Sequence, residues 1–197
     1  MEGSPIGQFY TYEFAGHDEN GVSQFWVHDP VTGQRTGEKT INFGTNRATQ
    51  SKRPPGSSIK PIATYGPAME LGLITQYTQV NDAADIKLTG TSWYPKNSGG
   101  GNYGVITIRE ALQRSLNTVS VQVLNALTPQ ASYDFLTSQL DIKLVGNRTN
   151  EDGTVQSDIA LAPLALGALT DGVTVREMAG AYSTFIDDGV FGGTRTY

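Results

Sequence analysis

The sequence predicts an α/β fold of the α+β type, with a β-rich segment followed by a mainly helical region. Aromatic-rich runs separated by Gly, Pro and Asn mark residues 1–40 as strands and turns. From Asn46 onward, apolar residues recur at helical spacing behind Ser and Thr caps. With 197 residues and 38% hydrophobic content, the chain is long enough to bury a core. We therefore expect an N-terminal segment of uncertain origin over residues 1–40 and a principal domain over residues 41–197.

The composition excludes several classes of function. The formal net charge is −5 and the Lys and Arg residues are scattered, so no nucleic-acid-binding surface is expected. Cysteine is absent, which excludes disulfides and thiol nucleophiles, and His17 and His28 have no partner at metal-ligand spacing. No run approaches the roughly 18 apolar residues of a membrane-spanning helix, and no secretion signal follows Met1. We expect neither a metal nor a cofactor, so the chemistry must depend on Ser, Lys, carboxylates or amides.

Two strands are predicted in the N-terminal segment, over Gln8–Phe14 and Ser23–Val27, where aromatic residues are concentrated. A turn is predicted from Asp29 to Gly33. We expect the two strands to pair as a hairpin or to lie at the edge of a sheet.

A helix is predicted from Ser57 to Gly72. Pro61 lies in its first turn, where the missing N–H costs nothing, whereas Pro67 should kink or break it. Residues 73–106 are mixed and rich in loops, and the stretch Asn97–Asn102 should be the most flexible of them.

Further helices are predicted from their N-terminal signals. Thr107 with Glu110 and Thr174 with Glu177 form capping boxes, and Thr128 with Pro129 provides an N-cap and a first-turn proline. The predicted spans run from Thr107 toward Ser115, Val119–Leu127, Gln130–Leu140 and from Thr174 to Asp188. In the last of these, four apolar residues share one face and are expected in the core: Met178, Ala181, Tyr182 and Phe185.

Two short motifs could carry chemistry. Ser57 and Lys60 are three residues apart, so both lie on one face of a helix, and a lysine of lowered pKa can take the proton of a serine hydroxyl. Ser115 and Asn117 form an S-x-N pair that could relay a proton and hold a substrate carbonyl. Each motif alone is weak, because an N-cap serine, a solvated lysine or a helix-end serine fits the same pattern.

Three ordered blocks together resemble the transpeptidase domain of class A penicillin-binding proteins, over roughly residues 41–190. The first block contains Asn46–Gln50, Pro55–Pro61 and Tyr65–Ala68, and resembles the nucleophile segment of that family. Thr107–Thr118 resembles the second motif with its lead-in helix, and the stretches Ala165–Thr174 and Glu177–Phe185 resemble the helix that follows it.

The resemblance implies a serine β-lactamase/DD-transpeptidase-like fold, an antiparallel sheet flanked by helices, incomplete in this chain. It implies that Ser57 attacks the D-Ala-D-Ala donor of a peptidoglycan stem peptide, that an amine acceptor resolves the acyl-enzyme, and that β-lactams acylate the same serine. Lys60 would be the base, Ser115 the proton relay and Asn117 the group that orients substrate and Lys60. Substrate binding is assigned to Ser57, Asn117 and Thr118. The site would face the extracytoplasmic side of the bacterial cell membrane.

One departure from the family pattern is important. No lysine in the sequence is followed by Thr-Gly or Ser-Gly, so the third family motif, which binds the substrate carboxylate, is missing. The family pattern would put it beyond Tyr197, and a companion polypeptide could supply it. The alternative function is a catalytically incomplete module acting in binding or assembly. A β-lactamase or carboxypeptidase is disfavoured, because no residue can be nominated to activate water.

Overall fold

The computed structural model describes residues 11–17, 23–29, 31–39, 48–84, 88, 93 and 95–194. The chain divides into two compact units, Met1–Arg47 and Ala48–Tyr197. The predicted division between residues 40 and 41 lies outside the described residues and stays a prediction. So do the predictions for Gln8–Tyr10, Pro30 and Asn46–Arg47.

The N-terminal unit contains a three-stranded antiparallel sheet in the order β1-β2-β3. Its strands are β1 (Thr11–His17), β2 (Ser23–His28) and β3 (Arg35–Lys39). Phe14 packs edge-on against Phe25 across the first pair. The first two strands were predicted from such aromatic residues, whereas β3 was missed because its sequence, RTGEK, has neither aromatic residues nor apolar alternation.

In the second unit, the helix predicted over Ser57–Gly72 is replaced by three short turns. They are a 3₁₀ turn (Gly56–Ile59), a π turn (Pro61–Tyr65) and α1 (Gly66–Glu70). Pro67 cannot donate to a carbonyl in the preceding turn, and the N–H of Gly66 instead donates to the carbonyl of Pro61. A Cβ on Gly66 would lie 2.8 Å from that oxygen, so the π turn depends on glycine here. The break expected at Pro67 is therefore confirmed, whereas the 3₁₀ and π turns before it were not predicted.

Three of the other helices begin close to where their caps predicted them. Thr107 and Thr128 each accept a backbone N–H three residues on, and Thr174 with Glu177 forms a complete capping box. The helices are α2 (Ile108–Gln113), α3 (Asn117–Leu127), α4 (Pro129–Gln139), α5 (Leu161–Leu166) and α6 (Val175–Ser183). None of those in the described part of the chain is long and apolar enough to cross a membrane.

Two small hairpins complete the second unit. The antiparallel pair β4 (Gln79–Asp82) and β5 (Gly104–Thr107) leads directly into α2. The pair β6 (Arg148–Thr149) and β7 (Val155–Gln156) is much shorter. The first pair falls largely in the stretch predicted to be rich in loops, and no element was predicted for the second. Strands of two to four residues are too short to show a periodic pattern.

Helix α3 separates two clusters of buried apolar side chains. Val121 and Leu124 pack in the first cluster with Ile59 and Ile62, whereas Val119 packs in the second. The second also holds Tyr65, Ala68, Ile106, Ile108, Ala111, Leu116 and Val123. Each fully buried aliphatic side chain contributes about 1.5–3 kcal/mol to folding. The segment with Ser57 and Lys60 is thus fixed against α3 on both sides.

Helix α6 corrects one sequence expectation. Ala181 is fully buried and Met178 packs partly buried against the first cluster, as expected for a core face. Tyr182 is 38% exposed and Phe185 is 55% exposed, so their assignment to the core was wrong. The helix ends at Ser183, and the turns that follow it carry Phe185 out of the helical face predicted for it.

Candidate active site

Ser57 lies in the 3₁₀ turn at the start of the second unit's helical segment. Its side chain is exposed, and its carbonyl accepts the backbone N–H of Lys60, which closes the turn. In 3₁₀ geometry, side chains three residues apart lie nearly over one another. The turn therefore presents an exposed hydroxyl on the same face as the lysine that follows it.

The amino group of Lys60 is buried among three oxygen atoms. Its Nζ donates to the carbonyl of Ser115 at 2.7 Å, to Oδ1 of Asn117 at 2.7 Å and to Oγ of Ser115 at 3.2 Å. None of these oxygens is a carboxylate that would hold the amine charged. Because the residue is completely buried, desolvation lowers the pKa of Lys60 from 10.5 to about 8. A substantial fraction of the amine is therefore neutral near physiological pH and able to accept a proton.

Ser115 reaches Lys60 because it closes α2 in a left-handed conformation. Its N–H donates to the carbonyl of Leu112, and the N–H of Leu116 donates to that of Ala111, the pattern of a Schellman cap. The φ of Ser115 is +54°, a value that usually belongs to glycine. This conformation turns both the carbonyl and the hydroxyl of one residue toward the same amine.

Asn117 is the first residue of α3 and its amide is held at both ends. Oδ1 accepts from Lys60, while Nδ2 donates to the carbonyl of Lys96 at 2.8 Å and to Oγ of Ser98 at 3.4 Å. A reversed amide would aim its NH₂ group at the lysine ammonium, so these partners fix its orientation. Asn117 is thus placed to hold Lys60 and still has a half-exposed side chain beside Ser115.

Thr118 has a different environment from the other predicted site residues. It is 1% exposed, and its hydroxyl donates to the carboxylate of Asp82. The structure thus joins Lys60, Ser115 and Asn117 by direct hydrogen bonds and sets Ser57 one turn away, whereas Thr118 lies beneath them. The catalytic and substrate-binding roles of all five stay predictions.

Two further contacts fix the turn that carries Ser57. The N–H of Gly56 donates to the carbonyl of Gly167 at 3.3 Å, and the hydroxyl of Tyr182 donates to the carbonyl of Ser58 at 2.7 Å. The turn Gly56–Ile59 is thereby anchored to the end of α5 and to α6. Sequence patterns did not identify these contacts, and the core assignment of Tyr182 gave no sign of its hydrogen bond.

The arrangement has the parts needed for acyl transfer through a serine. An exposed hydroxyl precedes a buried amine of lowered pKa, and a second hydroxyl and an amide contact the same amine. General-base activation of this kind makes a serine nucleophilic at neutral pH.

Comparisons with known proteins identify the family of the chain. The family model for the penicillin binding protein transpeptidase domain matches residues 20–192. Penicillin-binding protein 4 of Bacillus subtilis is 34% identical over 155 residues, which cover 79% of this chain and 23% of that protein. Penicillin-binding protein 1A of Clostridium tetani is 31% identical over 188 residues, covering 87% of this chain and 23% of that protein. The chain thus spans less than a quarter of the length of either relative.

The fold has solved counterparts. The crystal structure of penicillin-binding protein 1A from Haemophilus influenzae aligns with 77% of this chain and 21% of that one, with a TM-score of 0.57 and 29% sequence identity. The fold class and the family resemblance expected from the sequence are confirmed by these matches.

Proposed function

The chain belongs to the transpeptidase family of penicillin-binding proteins, and we propose that it provides the nucleophile half of a serine D-Ala-D-Ala transpeptidase. The donor is the D-Ala-D-Ala end of a peptidoglycan stem peptide, and the acceptor is the side-chain amine of a neighbouring stem. The site works at the extracytoplasmic face of the bacterial cell membrane, where those peptides are found.

The proposed reaction has two acyl transfers. Oγ of Ser57 attacks the penultimate D-Ala carbonyl while its proton passes to the neutral amine of Lys60. The C–N bond of the terminal D-Ala then breaks, and Ser115 relays the proton from Lys60 to the leaving amine. In the second transfer the acceptor amine attacks the ester and gives its proton to Lys60, which passes it to Oγ of Ser57 as the ester C–O bond breaks. β-Lactams acylate Ser57 in the same first step, because their ring amide takes the place of the donor peptide bond.

The observation that carries this proposal is the environment of the Lys60 amine. It is completely buried, contacts Ser115 and Asn117 and has a pKa lowered to about 8. A lysine that served only as a solvated surface charge would need none of these contacts. A buried amine tuned toward neutral pH is the kind of group that general-base catalysis requires.

A companion polypeptide is part of the proposal. The family's Lys-Thr-Gly or Lys-Ser-Gly motif does not occur in the printed sequence, and a strand bearing it would complete the substrate-carboxylate site. Such a strand has an apolar surface to cover close to Ser57: Phe185, Ile186 and Val190 are 55%, 89% and 59% exposed, and Tyr182 on the adjoining helix bonds to Ser58.

A fluorescent penicillin tests the function. The chain is incubated with the label alone and together with a companion polypeptide, the part of a relative's transpeptidase domain that carries the Lys-Thr-Gly strand. We expect weak or absent labelling of the chain alone, because losing one oxyanion-hole donor costs about 100- to 1000-fold in rate. With the companion, the chain should become labelled.

Two serine variants complete the test. Ser57→Ala should abolish labelling, whereas Ser58→Ala, which removes the neighbouring exposed hydroxyl, should retain it. Labelling that survives Ser57→Ala overturns the nucleophile assignment. If no labelling is seen with any companion, the chain is instead a catalytically incomplete module that acts in binding or assembly.

A further inference from the structure

A buried carboxylate lies behind the site and is not used by the reaction steps above. Asp82 ends β4 and is completely buried. Its oxygens accept from the side-chain amides of Asn97 at 3.0 and 3.2 Å and Asn102 at 3.3 Å, from the backbone N–H of Tyr103 at 2.9 Å, and from the hydroxyl of Thr118. Burial alone would raise the pKa of Asp82, but these hydrogen bonds outweigh it and lower the pKa below its ordinary value. The group is therefore a stable anion at neutral pH.

This anion fixes the direction of the Asn97 amide. Nδ2 of Asn97 donates to Asp82, so Oδ1 points the other way and accepts the N–H groups of Asn117 at 2.8 Å and Thr118 at 3.3 Å. Leu116 at the N-cap position of α3 has no side chain that could cap these groups, and Asn97 performs that task from a different segment. If the Asn97 amide were flipped, its carbonyl would face the carboxylate of Asp82. Its NH₂ group would then face the two N–H donors of α3.

The same segment fixes the amide of Asn117. Lys96, the neighbour of Asn97, accepts from Nδ2 of Asn117 at 2.8 Å, which leaves Oδ1 of Asn117 directed at Nζ of Lys60. Asp82 is therefore connected to the amine of Lys60 through hydrogen bonds and short stretches of backbone: Asn97 accepts the backbone N–H of Asn117, and the side chain of Asn117 accepts from Lys60. The carboxylate fixes the amide of Asn97 directly, whereas the amide of Asn117 is oriented by the carbonyl of Lys96, the residue beside Asn97.

We propose that Asp82 and Asn97 are positioning residues that act through Asn117 to hold Lys60 in its reactive place, an inference that rests on the proposed function for its catalytic meaning. The segment Asn97–Asn102, expected from its glycines to be the most flexible stretch, carries the two side-chain amides that bond to the carboxylate.

Exchanging the residue types at positions 82 and 97 distinguishes a role in positioning Lys60 from a general stabilising role. Asp82→Asn removes the charge that orients Asn97, and Asn97→Asp sets two carboxylates against each other. The double variant again pairs a donor with an acceptor, because the amide introduced at position 82 donates to the carboxylate introduced at position 97. That carboxylate still accepts the N–H groups of α3. A matched control is Asp158→Asn, which changes a carboxylate that is 1% exposed and accepts the N–H groups of Val145 and Thr170, away from Asn117.

The readout is the titration of Lys60, followed by NMR in the whole chain labelled with ¹³C-lysine and assigned with Lys60→Arg. The wild-type midpoint should lie near 8. Asp82→Asn should lower it by at least about half a unit, because the ammonium loses a fixed acceptor, and Asn97→Asp should displace it by a similar amount. The double variant should return it toward the wild-type value, and Asp158→Asn should leave it unchanged.

The proposal is overturned if the Lys60 titration midpoint is unchanged in both single variants. It is also overturned if Asp158→Asn shifts that midpoint by the same amount as the single variants do. Asn97 is half-buried, so Asn97→Asp keeps the test available if Asp82→Asn does not fold. In the presence of the companion polypeptide, the single variants should also slow penicillin labelling at least about tenfold. Absent labelling of the wild type would contradict the proposed function and leave the titration result intact. Normal penicillin labelling together with an unchanged Lys60 titration midpoint would contradict only the positioning role of Asp82 and Asn97.

Discussion

Ser115 combines a strained backbone with a side-chain contact to Lys60. A serine at φ +54° takes the place that glycine usually fills in a Schellman cap, at a cost of about 1 kcal/mol. In exchange, its hydroxyl lies 3.2 Å from Nζ of Lys60. Strain of this kind is commonly found where function requires a particular side chain.

Two substitutions of Ser115 separate the backbone from the hydroxyl. Ser115→Gly and Ser115→Ala both remove the hydroxyl contact to Lys60, so both should slow penicillin acylation about 100-fold or more. Only alanine keeps the strain, so Ser115→Gly should be more stable than Ser115→Ala by about 1 kcal/mol in urea unfolding. Equal stabilities would show that the left-handed conformation carries no cost, and unchanged acylation in either variant would exclude the relay role.

The pH dependence of acylation should follow the neutral fraction of Lys60. With a pKa of about 8, roughly a tenth of the amine is neutral at pH 7 and half at pH 8. Only the neutral amine can take the proton of Ser57, so the acylation rate should rise about fivefold between pH 7 and pH 8 and level off above about pH 9. The measurement is the second-order rate of penicillin labelling with the companion polypeptide present. A rate that is flat over this range would mean that Lys60 is not the base.

At the scale of elements, the turn Gly56–Ile59 depends on close backbone packing against the end of α5. Gly167 has φ +75°, and a Cβ there would lie 2.1 Å from the carbonyl oxygen of Gly56 and 2.5 Å from its nitrogen. No side-chain movement can relieve such a clash, because the atoms that the Cβ would meet belong to the backbone. The residue before Ser57 would have to move.

Gly167→Ala should therefore both destabilise the protein and slow acylation. The matched control is Gly153→Ala, whose φ of +81° brings similar strain but whose added Cβ meets nothing within 4 Å. Urea unfolding should show Gly167→Ala to be less stable than Gly153→Ala by about 1–3 kcal/mol. Acylation should be slowed only by the first substitution. Equal effects of the two on acylation would contradict the role of this contact.

The elements differ in how far the sequence predicted them. The helix starts at Thr107, Thr128 and Thr174 were predictable because a cap is a local interaction encoded within four residues. The π turn and the hairpin of β4 with β5 were not predictable. The π turn depends on how the chain compensates for the missing N–H of Pro67, and the hairpin depends on pairing between distant segments. Local spacing likewise put Tyr182 and Phe185 on a buried face, although only distant packing decides which face is covered.

The same limit applied to the site. Ser57, Lys60, Ser115 and Asn117 were nominated from short motifs, and the structure brings the last three into direct contact. Asp82 and Asn97 belong to no motif, and an aspartate that ends a short strand looks like any turn residue. The role proposed for them rests on hydrogen bonds to α3 that no sequence pattern shows.

At the scale of the molecule, the second unit has a buried core but leaves apolar residues uncovered beyond α6. Ile186 is 89% exposed there, next to the helix whose Tyr182 donates a hydrogen bond to the carbonyl of Ser58. A surface of this kind is expected where another polypeptide packs. The companion proposed above would cover this surface and complete the site.

Ile186→Asp tests this surface. An exposed side chain contributes little to the chain's own folding, so urea unfolding should change by no more than about 0.5 kcal/mol. Labelling in the presence of the companion polypeptide should fall about tenfold or more, because a charge would be buried in the interface. Val155→Asp, at a residue that is 64% exposed on β7, is the control and should label normally. Equal labelling of the two variants would place the companion elsewhere.

The whole mechanism depends on a covalent bond forming at the serine hydroxyl one turn before the buried lysine. To locate that bond, the chain and its companion are treated with benzylpenicillin, the product is digested, and the adduct is mapped by tandem mass spectrometry. We expect a single adduct on the oxygen of Ser57, and none in the same peptide from Ser57→Ala. An adduct on another residue, or one that persists without the Ser57 hydroxyl, would contradict the mechanism.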